Sequence, residues 1–274
     1  MRPRRDDIAA PELPGRLRWH GSESAPRMSE LTAAGPVLVH FLDFAQLNSV
    51  RALPYAIEWD RRYRGAGLTT LGIHSPRFPF TARNGSLAPA LERLGVHHPV
   101  ADDSGYGVWH DYGCTGWPSL FLWGRGGGLR WFHFGEGEYQ ATEEAIQGEL
   151  RELDPLATLP SELEPLRPTD APGALVVPPS DEVLPGGSVR DPWRPPECGA
   201  PLKLAYEAGG VHASADGEGE LRVRLDREAE RTIPVSAPGL LELAAHARHE
   251  RHELRLVAGE GVDLYSVSFS AGVP

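Results

Sequence analysis

The 274-residue chain reads as an α/β domain followed by a small all-β sandwich. Three observations carry that reading. Between residues 17 and 153, short apolar runs rich in valine alternate with stretches whose apolar residues recur at helical spacing. From 155 to 200 prolines crowd the chain more densely than a helix interior or a central strand tolerates. After 202, short alternating runs follow one another between glycine-rich turns, the pattern of an antiparallel sandwich. The predicted organisation is a domain over 16–154, an extended connector over 155–200 and a β-sandwich over 201–274.

The elements follow in order. Residues 36–41 (PVLVHF) are short, apolar and β-branched, as a buried strand requires. Over 47–63, Val50, Leu53, Ile57 and Tyr63 share one side with Ala56, predicting a helix that Pro54 should kink. Gly65 and Gly67 end it, and 68–74 (LTTLGIH) reads as the next strand. A second helix is predicted over 86–94, closed by Gly95, and His97 and His98 precede Pro99 at a further strand start. Residues 120–123 and 129–134 flank the turn 124–128 as a hairpin. A last helix spans 139–153, with glutamates near its start to suit the helix dipole. In the tail, strands are predicted over 202–206, 211–215, 220–225, 231–235, 240–244, 252–257 and 262–269.

Composition narrows the function. At 41% hydrophobic and 24% charged, the chain is globular. Its formal net charge of −11 repels phosphate backbones, so nucleic acid is not an expected partner. Arg2, Arg4 and Arg5 are followed by Asp6, Asp7 and Pro11, which is not the pattern of a signal peptide. No apolar run is long enough to cross a membrane, and the expected location is the cytoplasm. The only cysteines, Cys114 and Cys198, lie far apart, which excludes a disulfide framework and a cysteine-based zinc site within one chain. No cofactor and no metal are expected.

Four segments carry a family resemblance: HFLDFAQLNSVRALPYAIEW (40–59), GIHSPRFPF (72–80), YGCTGWPSLFLWGRGG (112–127) and FGEGEY (134–139). With them the first domain resembles the thioredoxin-like domains of the TlpA and DipZ type. The tail from Leu202 is similar to the carbohydrate-binding-module-like β-sandwich that follows this domain in DipZ proteins. The resemblance implies a thioredoxin-like fold, a Cys-x-x-Cys at the start of a helix, and a cis-proline before a later strand. Setting Asp43 and Pro54 on their family counterparts puts the two catalytic positions at Gln46 and Ser49. The motif then reads Gln46-Leu47-Asn48-Ser49 where two thiols are needed. Dithiol exchange requires one thiolate to attack and a second thiol to resolve the mixed disulfide. Glutamine and serine do neither.

The expected function is therefore a redox-inactive binding or scaffolding module for an unidentified protein or peptide. Its groove would be formed by Ala45, Gln46, Leu47, Asn48, Ser49, Pro76, Trp117, Pro118 and Ser119. The resemblance implies that Pro118 is cis and offers backbone groups to an extended peptide; alternatively, the Trp117-Pro118 turn serves the fold alone. Two rivals stand beside this reading. Cys114 could act as the single thiol of a peroxidase or thiol transferase, against its reading as a small buried hydrophobe. Alternatively, the tail binds carbohydrate or another polymer, which would need an exposed aromatic platform from Tyr206, Tyr265 or Phe269. His246, His249 and His252 are spaced by three, a pattern that fits no single face of a strand or helix. Glu136 and Glu138 fit helix capping and solvation better than acid–base work, and Asp102 and Asp103 fit a turn.

Overall fold

A computed structural model describes residues 5–22, 24–194 and 200–274, with backbone alone for 5–7. Arg2, Arg4, Pro195, Pro196 and Cys198 of the sequence reading lie outside the described residues. The chain divides into two compact units. The first holds residues up to Phe44, Asn48–Pro76 and Leu87–Glu164; the second holds Ala45–Leu47, Arg77–Ser86 and Pro165–Pro274.

The first unit runs β1 (Arg5–Ala9), β2 (Arg18–His20), α1 (Met28–Ala34), β3 (Val37–Leu42), α2 (Leu47–Tyr63), β4 (Thr69–His74), α3 (Leu87–Arg93), β5 (Val100–Asp102), α4 (Gly107–Asp111), β6 (Ser119–Trp123), β7 (Gly128–Phe134) and α5 (Tyr139–Leu153). Its sheet has the order β1-β7-β6-β3-β4-β5-β2. β3, β4 and β5 are parallel to one another, while β6 and β7 form the antiparallel hairpin that pairs with β3. A β3–α2–β4 crossover beside a β6–β7–α5 unit is the thioredoxin-like arrangement. The sheet begins before residue 16, because β1 lines up along β7. β1, β2, α1 and α4 were not legible in the sequence, being too short to display a period. α2 is a single uninterrupted helix across Pro54, which stands exposed on its outer side.

Because β3 lies between β4 and β6, all six of its residues are buried, and its two faces feed two cores. Val37, Val39 and Phe41 pack with Ile73, Trp109 and Phe121 on one side. Leu38 packs with Trp59 and Tyr63 of α2 and Ile146 and Leu150 of α5 on the other. His40 belongs to this second face by alternation, where a polar ring needs a partner. It finds one in His98, with Nε2 atoms 2.7 Å apart. One ring must donate and the other accept, so the two cannot both be charged while the bond stands. Gly72 of β4 leaves the room: a Cβ there would stand 2.9 Å from Val100 Cγ2 and 3.2 Å from His40 Nε2.

The second unit contains β8 (Leu202–Gly217), β9 (Gly219–Leu225), β10 (Arg231–Val235), β11 (Gly239–Ala258) and β12 (Val262–Ser270), ordered β10-β9-β11-β8-β12. The expected seven short strands are thus five among the described residues. The first two are one strand, β8, and the fifth and sixth are one strand, β11. Gly209 and Gly210 read as a turn, yet they permit close approach instead: a Cβ at Gly209 would meet Ala271 O at 2.5 Å. β12 runs along just the second half of β8, and β9, paired with β10 on its other side, meets just the last residues of β11. The two long strands therefore pass from one layer to the other at bulges, as corner strands of a sandwich do. Tyr206, Val211, Val223 and Leu264 fill the core between. The Pro-rich stretch contributes Val183 and Trp193 to that packing, each bridged to β12. Among the described residues, no helix is long and apolar enough to cross a membrane.

The buried histidine pair ties stability to pH. Burial holds His40 well below its ordinary value, and burial, opposed by Asp60, holds His98 at about 4. Unfolded, both imidazoles protonate near 6.5. Between these values the unfolded chain binds more protons, so stability falls as pH drops from about 6.5 to about 4. Urea midpoints at pH 7, 5.5 and 4 check this, and in His40→Leu/His98→Leu the fall should be smaller. An equal fall in the variant would remove the pair as its cause.

Candidate functional site

The site predicted from the sequence begins where β3 ends. Asp43, Phe44 and Ala45 are buried, and α2 starts two residues later at Leu47. Ser49, 2% exposed, accepts the Asp43 N–H on its Oγ at 3.1 Å. At the second motif position, then, a hydroxyl locks the strand-to-helix junction. Gln46 is half-buried. Ala45, Gln46 and Leu47 belong to the second unit, where the Ala45 carbonyl accepts a bond from Ser214 Oγ at 2.7 Å. Asn48, Ser49, Pro76, Trp117, Pro118 and Ser119 belong to the first.

The Trp117-Pro118 peptide is cis. Several backbone acceptors near it are already engaged within the first unit. Pro118 O accepts from Gly135 N at 2.7 Å, Ser75 O from Trp117 Nε1 at 2.8 Å, and Pro76 O from the Tyr106 hydroxyl. Ser119 Oγ donates to Gly116 O at 2.6 Å. Trp117 also packs on Trp109, with ring centroids 4.4 Å apart. Of this unit's groove positions, Asn48 and Trp117 are half-buried and the other four are buried.

Sequence reasoning missed two residues beside this segment. Asp103, placed in a turn by its sequence, caps α4: its carboxylate accepts from Val108 N at 3.1 Å, Trp109 N at 2.9 Å and Ser75 Oγ at 3.2 Å. The signal for it was weak, because α4 has only five residues. Asp103 and its neighbour Asp102 also make the expected turn: Asp102 accepts from Ser104 N at 3.0 Å and Asp103 O from Tyr106 N at 2.8 Å. His74 ends β4, is 1% exposed and stacks on Phe44 with centroids 5.3 Å apart. Neither of its ring nitrogens has a hydrogen-bond partner among the described residues. Burial lowers its pKa, with Asp43 and Asp102 pulling the other way. Nothing in the local sequence marks it as different from any strand-end histidine.

Cys114 is 8% exposed and lies in the core with Phe41, Tyr112 and Phe121. Burial pushes its thiol up to about 12, against a hydrogen bond with Ser119. A nucleophilic cysteine needs the opposite environment, with a nearby cation or helix N-terminus to hold the thiolate. The remaining candidates have structural partners. Glu136 pairs with Arg51 at 2.7 Å, and Glu138 precedes α5 without a side-chain cap. His246 and His252 stack with centroids 3.9 Å apart, because residues 246–249 bulge out of the β8–β11 pairing. Tyr206 OH bonds to His246 Nε2 and Asp226 to His252 Nδ1, while His249 stands apart from the stack. Tyr206, Tyr265 and Phe269 are all buried.

No family model matches the chain. It is 25% identical to Protein DipZ of Mycobacterium tuberculosis over a 296-residue alignment that covers 95% of this chain and 42% of the relative. It is 29% identical to NHL repeat-containing protein 2 of Gallus gallus over 138 residues, covering 50% of this chain and 19% of that protein. The chain thus spans less than half the length of these curated relatives. Among solved structures it is similar to a putative thiol:disulfide interchange protein DsbE from Chlorobium tepidum. That match has a TM-score of 0.45 at 21% identity, over 54% of this chain and 98% of the other. A thiol-disulfide isomerase from Corynebacterium glutamicum matches with a TM-score of 0.45 at 21% identity, over 52% and 96%.

Asp103 joins three elements through one carboxylate. Asp103→Ala should lower unfolding stability by about 2 kcal/mol, the scale of a lost cap with bonds to a charged acceptor. Asp103→Asn, which keeps an acceptor oxygen, should lose less. Urea denaturation followed by tryptophan fluorescence measures both, and equal stability in Asp103→Ala would show that the cap contributes nothing.

Proposed function

We propose that the chain is a thioredoxin-like module without dithiol chemistry, which acts by binding a protein or peptide partner. The observation that carries this reading is the absence of any thiol where α2 begins, with Gln46-Leu47-Asn48-Ser49 in its place. Thiol–disulfide exchange starts from a thiolate, and a helix N-terminus can favour only a thiolate that is present. Cys114 does not replace it, being buried and raised to about 12. In the first unit, recognition would fall to the half-buried side chains of Asn48 and Trp117, since the nearby carbonyls of Ser75, Pro76 and Pro118 are engaged. A sugar-stacking role for the sandwich is not favoured, because Tyr206 and Phe269 lie in its core and Tyr265 is buried against Phe78 and Phe80.

The test compares Cys198→Ser, which leaves Cys114 as the one thiol, with Cys114→Ser/Cys198→Ser. Insulin-disulfide reduction and peroxide turnover should be nil in both. Native Cys114 should alkylate about a thousandfold more slowly near pH 8 than an ordinary thiol, and at the ordinary rate once the chain is unfolded. Rapid alkylation at neutral pH, with turnover that Cys114→Ser abolishes, would make the protein a one-cysteine redox enzyme.

A further inference from the structure

The outer face of the sandwich layer formed by β8, β11 and β9 breaks a charge rule that it keeps nearby. Residues directly opposite on neighbouring strands interact, and like charges there are destabilising. Toward the middle of β8 the rule holds, with Glu207 opposite Arg251. Four residues along, Arg255 stands opposite Lys203 on one side and Arg224 on the other. Three cations therefore lie in one row across three strands. Their neighbours in sequence, Leu204, Leu254 and Leu225, point away from that face, toward the core.

None of the three cations has an ion pair or a side-chain hydrogen bond among the described residues, and Arg255 Nε is enclosed without a partner. The row lines a hollow of about 360 Å³ that also takes in Ala205, Asp226 and Glu253. Asp226 is already committed: one oxygen binds His252 Nδ1 at 2.8 Å and the other accepts from Glu253 N at 2.8 Å. Two lining carboxylates, Asp226 and Glu253, are thus set against three cations, and only Glu253 is not already tied to other groups of the fold. Strands lie roughly 4.8 Å apart, so the row spans about 10 Å. The chain as a whole carries a net charge of −11, so this concentration of positive charge is local.

We infer that this hollow binds a ligand carrying two or more phosphate or sulfate groups, held by the guanidinium groups of Arg224 and Arg255 and the ammonium of Lys203. Guanidinium forks match tetrahedral oxyanions with paired hydrogen bonds, and an ammonium adds a point charge. An oxyanion would satisfy Arg255 Nε and offset the repulsion along the row. The site recognises charge in a row and needs no aromatic platform, which accords with the buried aromatics of this unit. It is independent of the thiol question.

The experiment titrates the full-length protein with tripolyphosphate and, separately, with a sulfated heparin hexasaccharide, by calorimetry at low and moderate salt. Saturable binding of either is expected, weakening as salt rises. Preference for the first identifies a compact polyphosphate ligand and preference for the second a sulfated sugar chain. In Arg224→Gln/Arg255→Gln affinity should drop at least tenfold, while Arg251→Gln should keep it. Without ligand the double variant should melt no lower than wild type, since it relieves repulsion; this separates lost binding from lost folding. Absence of saturable binding by both probes, or binding that the double variant retains in full, would overturn the inference.

Discussion

Burial of β3 on both faces is the constraint from which the first unit follows. A central strand has no solvent side, so each of its residues must either be apolar or bring a partner. Val37, Val39 and Phe41 serve one core and Leu38 the other. His40 is the exception, and its cost is met by His98, reached from the loop before β5 through the space left at Gly72. Both histidines are held neutral by the same enclosure that makes their hydrogen bond strong. The same sheet places Asp43 and Phe44 at the mouth of α2, where the chemistry of a thioredoxin-like domain would start.

At that mouth the polar groups serve structure. Ser49 fixes the junction of strand and helix, Asp103 fixes α4, Tyr106 ties Pro76 to the start of α4, and Trp117 ties Ser75 to the cis-proline turn. Each of these bonds satisfies a group that would otherwise be buried unpaired. The lone described cysteine is on the wrong side of the energetics, since enclosure by aromatic rings disfavours the thiolate that redox chemistry requires.

The second unit rests on a different device. Two long strands each belong to both layers, and glycines let the backbones cross closely where the layers exchange strands. Inside, the alternation of apolar residues is regular; outside, the charges pair in one row and repel in another. Packing does not require that second row, and an ordinary surface would avoid it.

The sequence by itself determined the α/β order, the hairpin, α2 and α5, and the all-β tail, because these segments are long enough for hydrophobic periodicity to show. It also determined that no thiol stands at Gln46 or Ser49, which is a matter of composition and needs no coordinates. Short elements such as α4 and β2 escaped it, since three to five residues carry no period. So did the union of seven expected strands into five, because Gly209-Gly210 has the same composition in a turn as at a strand crossing. Tertiary structure alone decided which polar residues meet. His40 and His98 are 58 positions apart, and Ser75 and Asp103 are 28 apart. Lys203, Arg224 and Arg255 form a row only once β8, β9 and β11 take their register. Such pairings depend on strand order and register, which arise from the burial of the whole chain and leave no mark in any local stretch of it.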